Sequence, residues 1–357
     1  MRLEADKRGG WRAAGGSVLR RYRGAVKQTG DLVRVAMLAL LRPAAIYLPR
    51  RWALALADLA GRAFHVTPIG ARVRRSMRSA FPDRDAGALA LEWLRGPFRD
   101  YVVATQIKSG RERPSQWQIE HRNFPDLLRD PIASAIIATG HFSRQSMSGL
   151  YLPSVVPQKL TTVIAPIDRT SRNARALRLR LLMGGMVDAI KRIRGDIEVA
   201  EIGALSVIAQ LVRNLRAPGH VVIIAADGAW QRDKASGYER AFAGHAKRNV
   251  ALGTARLARI SQRPIVTCVT YVEADGRIVM DWGAPIAPAD KADAAADVRV
   301  TDLMLDVFER AVGARPGQYV LPIGEERRWS EAAQCWMDAR PVVAQASAAP
   351  SRIAEPA

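Results

Sequence analysis

A histidine that directly follows a short apolar run is the residue best placed to do chemistry in this sequence. His141 comes after IASAIIATG, a run of strand length at Ile132–Gly140, and before FSRQSMSGL, where we predict that a helix begins. Imidazole is the side chain best matched to general-base catalysis near neutral pH. No comparable setting surrounds the other four histidines, His65, His121, His220 and His245. We therefore take His141 as the candidate base, with a structural loop histidine as the alternative.

An aspartate closes another apolar run. Asp227 ends the stretch HVVIIAAD. Open α/β sheets gather functional side chains at the carboxyl ends of their strands, so Asp227 is a second candidate for the site. Its alternative role is to cap a helix or a turn.

The surrounding pattern indicates an α/β fold. From residue 31 to about 130, apolar residues recur at three- and four-residue spacing, which predicts helices. Short apolar runs bounded by turn residues then alternate with helical stretches, which predicts a mixed sheet flanked by helices. The five predicted strands are Ile132–Gly140, Leu160–Pro166, His220–Ala226, Pro264–Tyr271 and Arg277–Trp282.

The domain organisation follows from the same pattern. Residues 1–30 are rich in Gly and Arg and are predicted to be poorly ordered. Residues 31–335 form one domain, mainly helical over 31–130, sheet and helices over 131–290, and helical again over 291–335. Residues 336–357, rich in Ala, Ser and Pro, are predicted to be a disordered tail.

The charge balance points to anionic partners. Lys and Arg number 54 against 34 acids, for a net charge of +20. Such a field favours nucleic acid, anionic lipid or an acidic protein. Aromatic residues make up only 6% of the chain, and no recognition motif or stacking platform appears, so we do not expect nucleic-acid binding. The two cysteines, Cys268 and Cys335, lack metal-ligand spacing, and no metal site is expected.

One N-terminal segment is apolar enough to meet a membrane. Residues 35–48, VAMLALLRPAAIYL, are too short for a span and contain Arg42 and Pro43. Basic residues flank the segment at Arg34, Arg50 and Arg51. We expect an interfacial or re-entrant helix that faces the membrane, with an ordinary buried helix as the alternative. No signal peptide is apparent.

Five sequence blocks in order resemble one family. IIATGHFSRQS resembles the signature block of the lysophospholipid-type acyltransferase superfamily, specifically its late lipid A acyltransferase branch. The resemblance covers residues 45–290. The other four blocks are LPRRWALALADLAGRAF, RRSMRSAFPD, HVVIIAADG and AFAGHAKRNVALGTARLARISQRPIVTCVTYVEADGRI. The resemblance implies that His141 removes a proton from an acceptor hydroxyl, which then attacks a thioester.

The chain departs from the family at the residue that should support this histidine. The family has Glu or Asp after four intervening residues, and this chain has Ser146. A serine cannot neutralise an imidazolium, and loss of an orienting acid can cost several orders of magnitude in rate. Three interpretations follow. Another carboxylate, Asp227 or Asp168, replaces the missing acid; the acceptor is an amine, which needs a weaker base; or the protein binds lipid without catalysis.

The resemblance also implies the substrates and their contacts. The donor is an acyl-carrier-protein or coenzyme A thioester, with no cofactor, and the acceptor is a membrane lipid similar to a lipid A precursor. The expected location is the cytoplasmic face of a bacterial inner membrane, where the basic surface meets anionic lipid and the acidic carrier protein. Phe242 and Gly244 correspond to the turn near the acyl-chain pocket. Arginines after the second strand contact anionic substrate groups, and the candidates are Arg169, Arg172, Arg175, Arg178 and Arg180. On a helix, Arg172, Arg175 and Arg178 would share one face.

Overall fold

A computed structural model gives the fold of the protein. The residues that it describes are 31–142, 150–166, 170–171, 173–202, 205–228 and 237–339.

Helices fill the first eighty described residues and cover the sheet that follows. Their ends carry local caps: the Thr67 side chain accepts a hydrogen bond from Gly70 N, and the Asp85 carboxylate accepts two from Gly87 N and Ala88 N. The helices are α1 (residues 31–47), α2 (Arg50–His65), α3 (Pro68–Ala80), α4 (Ala86–Lys108), α5 (Ala174–Ile193), α6 (Leu205–Arg216), α7 (Gly253–Ser261) and α8 (Ala296–Ala314). The first four helices fill most of residues 31–108 of the block predicted to be mainly helical, and a short strand, Ile119–Arg122, lies in its last part.

Eleven strands lie in the described part of the chain. They are β1 (Ile119–Arg122), β2 (Ala135–Thr139), β3 (Lys159–Ile164), β4 (Glu198–Glu201), β5 (His220–Ala225), β6 (Gly237–Phe242), β7 (His245–Ala251), β8 (Ile265–Val272), β9 (Ile278–Trp282), β10 (Arg327–Ser330) and β11 (Cys335–Asp338). Each of the five strands predicted from the sequence is present, as β2, β3, β5, β8 and β9.

Seven strands form one mixed sheet in the order β1-β9-β8-β2-β5-β3-β4. The run from β8 to β4 is parallel, whereas β9 pairs antiparallel with β8. β2 lies in the middle and is buried along its whole length, because helices cover both faces of a parallel sheet. The predicted mixed sheet flanked by helices is confirmed.

The core is divided by the sheet. Ile136 and Ala138 of β2 pack in a cluster that includes Phe308 of α8, on one face. Ala135 and Ile137 pack in a second cluster that includes residues of α4 and α5, on the other face. A third cluster joins α1, α2 and α4. This arrangement holds β2 rigidly, so its carboxyl end is a firm platform for the residues that follow it.

The C-terminal part differs from the prediction. Residues 291–335 are not only helical, because the antiparallel hairpin β10–β11 follows α8. The boundary of the predicted tail, at 336, is also wrong. Trp336 is buried and its ring lies 5.3 Å from Phe81 and 5.8 Å from Trp329. These aromatic contacts hold β11 as far as Asp338, and residues 340–357 lie outside the described part, as do residues 1–30.

The N-terminal segment 35–48 lies mostly within α1. Leu38, Leu41 and Ala45 are buried against the helices around them, while Leu40 and Tyr47 are exposed. No described helix combines the length and the apolar character that a membrane span needs.

Candidate active site

His141 and Asp227 meet at the carboxyl edge of the sheet. β2 and β5 are parallel neighbours, and their last residues, Thr139 and Ala225, are register partners. His141 and Asp227 each lie two residues beyond these ends, so the register brings them together. Nδ1 of His141 lies 2.5 Å from Oδ1 of Asp227, and the backbone N–H of His141 donates to Oδ2 at 2.8 Å. Both carboxylate oxygens therefore hold the same residue.

The two side chains differ in exposure. The Asp227 side chain is fully buried, whereas that of His141 is 28% exposed. Burial acts to raise the pKa of Asp227, but the charge of His141, its two hydrogen bonds and the charge of Arg248 lower it, and the pKa lies below its ordinary value. The carboxylate therefore stays ionised. When Nδ1–H donates to it, Nε2 keeps its lone pair for a substrate proton.

Arg248 and Tyr319 lie next to Asp227 and are joined to it and to each other by hydrogen bonds of Arg248. The Arg248 guanidinium lies 5.2 Å from the centre of the Phe242 ring. From there Nη2 donates to the backbone carbonyl of Asp227 at 3.1 Å, and Nη1 donates to the Tyr319 hydroxyl at 3.3 Å. Burial first, and then the Asp227 carboxylate, raise the pKa of Tyr319 well above its ordinary value. The Tyr319 phenol therefore stays protonated, and Arg248 places a positive charge beside Asp227.

The backbone of His141 is fixed by the segment that follows α8. The Val320 N–H donates to the carbonyl of His141 at 2.8 Å, and Phe142 forms an isolated β-bridge with Tyr319. Phe142 is fully buried, with its ring 5.3 Å from that of Tyr319. The imidazole thus projects from a backbone that is held on both sides, which limits the orientations open to it.

An apolar cavity lies next to this segment. It has a volume of about 370 Å³, and Phe142 and Val320, which border His141, form part of its wall. The rest of the wall comes from α1, α2, α4 and α5. A hydrocarbon chain is the kind of group that such a wall accepts.

Two of the five predicted arginines, Arg178 and Arg180, have described side chains. They lie on α5, which begins at Ala174 and is capped by the Asn173 side chain. Arg178 lines the cavity, and Arg180 donates to the backbone carbonyl of Ser171 at 2.8 Å. The residues predicted for the site that lie outside the described part are Ser146, Asp168, Arg169 and Arg172, together with the side chain of Arg175.

Phe242 and Gly244 do not line the cavity beside His141. Phe242 is fully buried between Tyr319 and Arg248, with its ring 6.4 Å from that of Tyr319. Gly244 has φ +82° in the turn that joins β6 to β7, and a Cβ there would lie 2.5 Å from the backbone oxygen of Gly324. Both residues shape the hairpin that carries Arg248, and that they lie near an acyl-chain pocket stays a prediction.

Sequence reasoning missed two residues beside Asp227. Arg248 lies in a stretch for which no strand is predicted from the sequence, although residues 245–251 form β7. Tyr319 follows α8 and lies more than ninety residues from Asp227 in the sequence. The sequence of β7, HAKRNVA, does not alternate between apolar and polar residues, so it carries no clear strand signal that would reveal the hairpin.

Comparisons with known proteins agree with the resemblance. The family described as bacterial lipid A biosynthesis acyltransferase matches residues 106–323. No curated protein matches. Among solved structures, the chain is similar to a 1-acyl-sn-glycerophosphate acyltransferase from Thermotoga maritima, at 11% identity and a TM-score of 0.33. That match covers 73% of this chain and 98% of the other, and the TM-score is too low to establish a shared fold.

Proposed function

Because this chain belongs to the family of bacterial lipid A biosynthesis acyltransferases, we propose that it moves a fatty acyl chain from a carrier-protein or coenzyme A thioester to a hydroxyl of a lipid acceptor. The family match covers more than half of the chain and includes both His141 and Asp227. The protein is therefore an acyltransferase by family, and its donor, acceptor and reaction are the subject of the proposal.

The observation that carries the proposed mechanism is the contact of His141 with the buried carboxylate of Asp227. Nε2 of His141 takes the proton of the acceptor hydroxyl while the hydroxyl oxygen attacks the thioester carbonyl carbon. The tetrahedral intermediate then breaks its C–S bond. The thiolate leaves and takes the proton from the imidazolium, so the histidine returns to its neutral form.

Asp227 performs the task that the family assigns to the residue at position 146. Ser146 has no charge with which to stabilise an imidazolium. Asp227 is ionised and 2.5 Å from Nδ1, so it fixes the tautomer and stabilises the positive ring during the reaction. This contact favours a working enzyme over a lipid-binding relative without catalysis, and it supports a base strong enough for a hydroxyl acceptor.

The surface of α1 and α2 suits a membrane. Large apolar side chains on these helices and at their ends remain exposed, and exposed apolar groups of this kind mark interaction surfaces. They are Leu40, Tyr47, Leu48, Trp52, Leu56, Leu59 and Val66. Arg42, Arg51 and Arg62 are exposed beside them and attract anionic headgroups. We place the enzyme at the cytoplasmic face of the inner membrane, where it meets a lipid A precursor-like acceptor and an acidic acyl carrier protein.

The first experiment follows product formation in membranes. Purified protein is incubated with bacterial membranes and either an acyl carrier thioester or an acyl-coenzyme A thioester, and lipid products are identified by mass spectrometry. A new ester product that disappears in His141→Ala, checked for folding by circular dichroism, supports the mechanism. A product that persists in His141→Ala contradicts it, and the absence of product with either donor contradicts the proposed substrates.

A further inference from the structure

The active site depends on a hairpin that is separate from the main sheet. In the described part of the chain, β6 and β7 pair with each other and with no other strand. A two-stranded hairpin is only marginally stable by itself, so its position depends on contacts with the rest of the protein. From this hairpin, Arg248 on β7 donates to the backbone carbonyl of Asp227. The contacts that fix the hairpin therefore also fix Arg248.

Backbone hydrogen bonds hold one end of the hairpin. The N–H of Gly324 donates to the carbonyl of Ala243 at 2.9 Å. The N–H groups of Glu326 and Arg327 donate to the carbonyl of Gly244 at 3.0 Å and 2.9 Å. These bonds fix the turn between β6 and β7, and Arg248 lies further along β7, where a second attachment is needed.

Arg240 on β6 attaches the hairpin to α8 at the level of Arg248, its register partner on β7. Nη1 of Arg240 lies 2.7 Å from Oδ1 of Asp302. Nη2 lies 3.0 Å from Oδ1 of Asp306 and 3.2 Å from Oε2 of Glu309. The side chain of Arg240 is only 14% exposed. One planar guanidinium thus joins the hairpin to carboxylates on two successive turns of α8.

The carboxylates of α8 also separate the two arginines. Like charges directly opposite each other on neighbouring strands are destabilising, and Arg240 and Arg248 are such a pair. The carboxylates attract the guanidinium of Arg240 to α8, whereas Arg248 reaches the carbonyl of Asp227. The Tyr238 hydroxyl, also on β6, donates to Asp302 and adds a neutral contact to the same attachment.

The charges of this cluster require Arg240. Arg327 of β10 is a second cation in it, with Nη1 2.8 Å from Oε1 of Glu309, and its Nε also lies 3.7 Å from Asp338. Burial raises the pKa of Glu309, and the charges of Arg327 and Arg240 oppose this shift. Without Arg240, the three carboxylates of α8 would be left with Arg327, and the helix would lose its ionic attachment to β6.

We infer that Arg240 is a positioning residue of the active site. It attaches the hairpin to α8 at the level of Arg248, and Arg248 in turn holds the Asp227 backbone beside His141. The inference rests on the proposed function, in which His141 is the base. Because Arg240 acts through Arg248, its contribution to catalysis disappears when Arg248 is replaced.

A double-mutant cycle distinguishes this role from a general structural one. In the membrane assay, Arg240→Met is expected to reduce kcat by about fivefold and Arg248→Met by about tenfold. The double variant is expected to lose about tenfold, as Arg248→Met does alone. A double variant that loses about fiftyfold has two independent effects and overturns the inference, as does an Arg240→Met protein with the wild-type kcat.

The tautomer of His141 gives a readout that needs no acyl transfer. In full-length protein with isotope-labelled histidine, proton–nitrogen NMR spectra distinguish a ring protonated at Nδ1 from one protonated at Nε2. The spectrum of His141→Ala assigns the signal of His141. At a pH where the ring is neutral, wild type is expected to carry the proton on Nδ1, which faces Asp227.

Loss of the attachment should change this tautomer. Arg240→Met and Arg248→Met are both expected to add a fraction of the Nε2-protonated form, because Asp227 is held less firmly beside the ring. An unchanged tautomer in Arg240→Met overturns the inference. If the protein transfers no acyl group but the tautomers change as expected, the proposed function fails while the positioning of His141 through Arg240 stands.

Two further variants control for a loss of folding. Arg327→Met removes the other arginine that pairs with Glu309, and it is expected to lower stability in a urea titration but to leave kcat and the tautomer unchanged. Arg240→Lys keeps the positive charge without the fork and is expected to reduce kcat by about twofold; it replaces Arg240→Met in the cycle if the latter does not fold. A loss of kcat in Arg327→Met equal to that in Arg240→Met assigns the effect to the stability of α8 and overturns the inference.

Discussion

Two histidines at opposite ends of neighbouring strands show what makes a site in this fold. His141 lies two residues beyond the carboxyl end of β2, and His220 is the first residue of β5. The ring of His141 contacts the buried carboxylate of Asp227, whereas Nε2 of His220 lies 2.8 Å from the hydroxyl of Thr161. His141 is accessible, and His220 is buried.

The two histidines differ in the residue that each imidazole contacts and in their exposure to solvent. Thr161 is neutral, and its hydroxyl is also 3.3 Å from the Glu198 carboxylate, so His220 belongs to a network that joins β5 to β3 and β4. Burial first, opposed by Glu198 and assisted by Lys159, lowers the pKa of His220. A neutral, buried imidazole stabilises the sheet, whereas an accessible imidazole beside an ionised carboxylate is fit to accept a proton.

The largest expected effect concerns Asp227. Asp227→Asn should reduce acyl transfer by roughly 10³-fold or more, because the ring loses the group that fixes its tautomer and stabilises its charge. Initial rates of product formation measure this. Adding Ser146→Glu to Asp227→Asn should restore part of the rate, since it returns a carboxylate at the position where the family has one. An Asp227→Asn protein with the wild-type rate would show that the contact has no catalytic role.

A smaller loss of catalytic rate is expected when Arg248 is replaced. Arg248→Met removes the donor to the Asp227 carbonyl and the cation behind the carboxylate, and should reduce kcat by about tenfold through looser positioning. Lys247→Met is the matched control, because this neighbour on β7 is exposed. A loss of the same size in both variants would mean that the hairpin as a whole, and not Arg248, is responsible.

At His220 the effect should fall on stability alone. His220→Ala breaks the contact with Thr161 inside the sheet and should lower the free energy of unfolding by about 1–3 kcal/mol. Urea titration followed by circular dichroism gives this value. The rate per folded molecule should not change, and a rate loss like that of His141→Ala would break the distinction between the two histidines.

The smallest effect is a difference in pH dependence. The pKa of His220 is lowered on folding, so the unfolded chain binds a proton more readily, and stability should fall as pH drops below about 6.5. For Asp227, whose folded pKa is also lowered, the corresponding loss begins only below about 3.8. His220→Gln should therefore show a flatter stability curve than wild type between pH 7.5 and 5. A curve of unchanged slope would remove His220 as the source.

The sequence predicts the individual strands of this site better than it predicts which strands are neighbours in the sheet. β2, β5 and the residues after them follow from apolar runs and turn residues, which are local signals. The order of strands in the sheet is not local, so the sequence leaves both Asp227 and Asp168 as possible partners of His141, and the pairing of β2 with β5 brings Asp227 to it. Likewise, Asp31 of α1 and Arg178 of α5 are 147 residues apart in the sequence, and no local pattern predicts their contact.

Packing adds what residue type alone does not give. Phe242 and Gly244 stand at a turn that resembles the family's acyl-chain region, and in the structure Phe242 packs against Tyr319 and Gly244 against Gly324. The short strand β11 overlaps the predicted tail, because a run of four residues is too short to predict a strand from the sequence. Its burial comes from the contacts of Trp336 with distant aromatic rings.

The pairing of β2 with β5 also sets when the protein can first work. His141 and Asp227 are 86 residues apart, and β8 on the other side of β2 comes later still in the sequence. Pairing between strands that are distant in the sequence is slow, because the chain loses loop-closure entropy before the stabilising contacts form. During synthesis, His141 cannot contact the carboxylate of Asp227 until β5 has left the ribosome and paired with β2. Recovery of acyl transfer on refolding is therefore a direct measure of sheet completion, and helix formation in the N-terminal part should precede it.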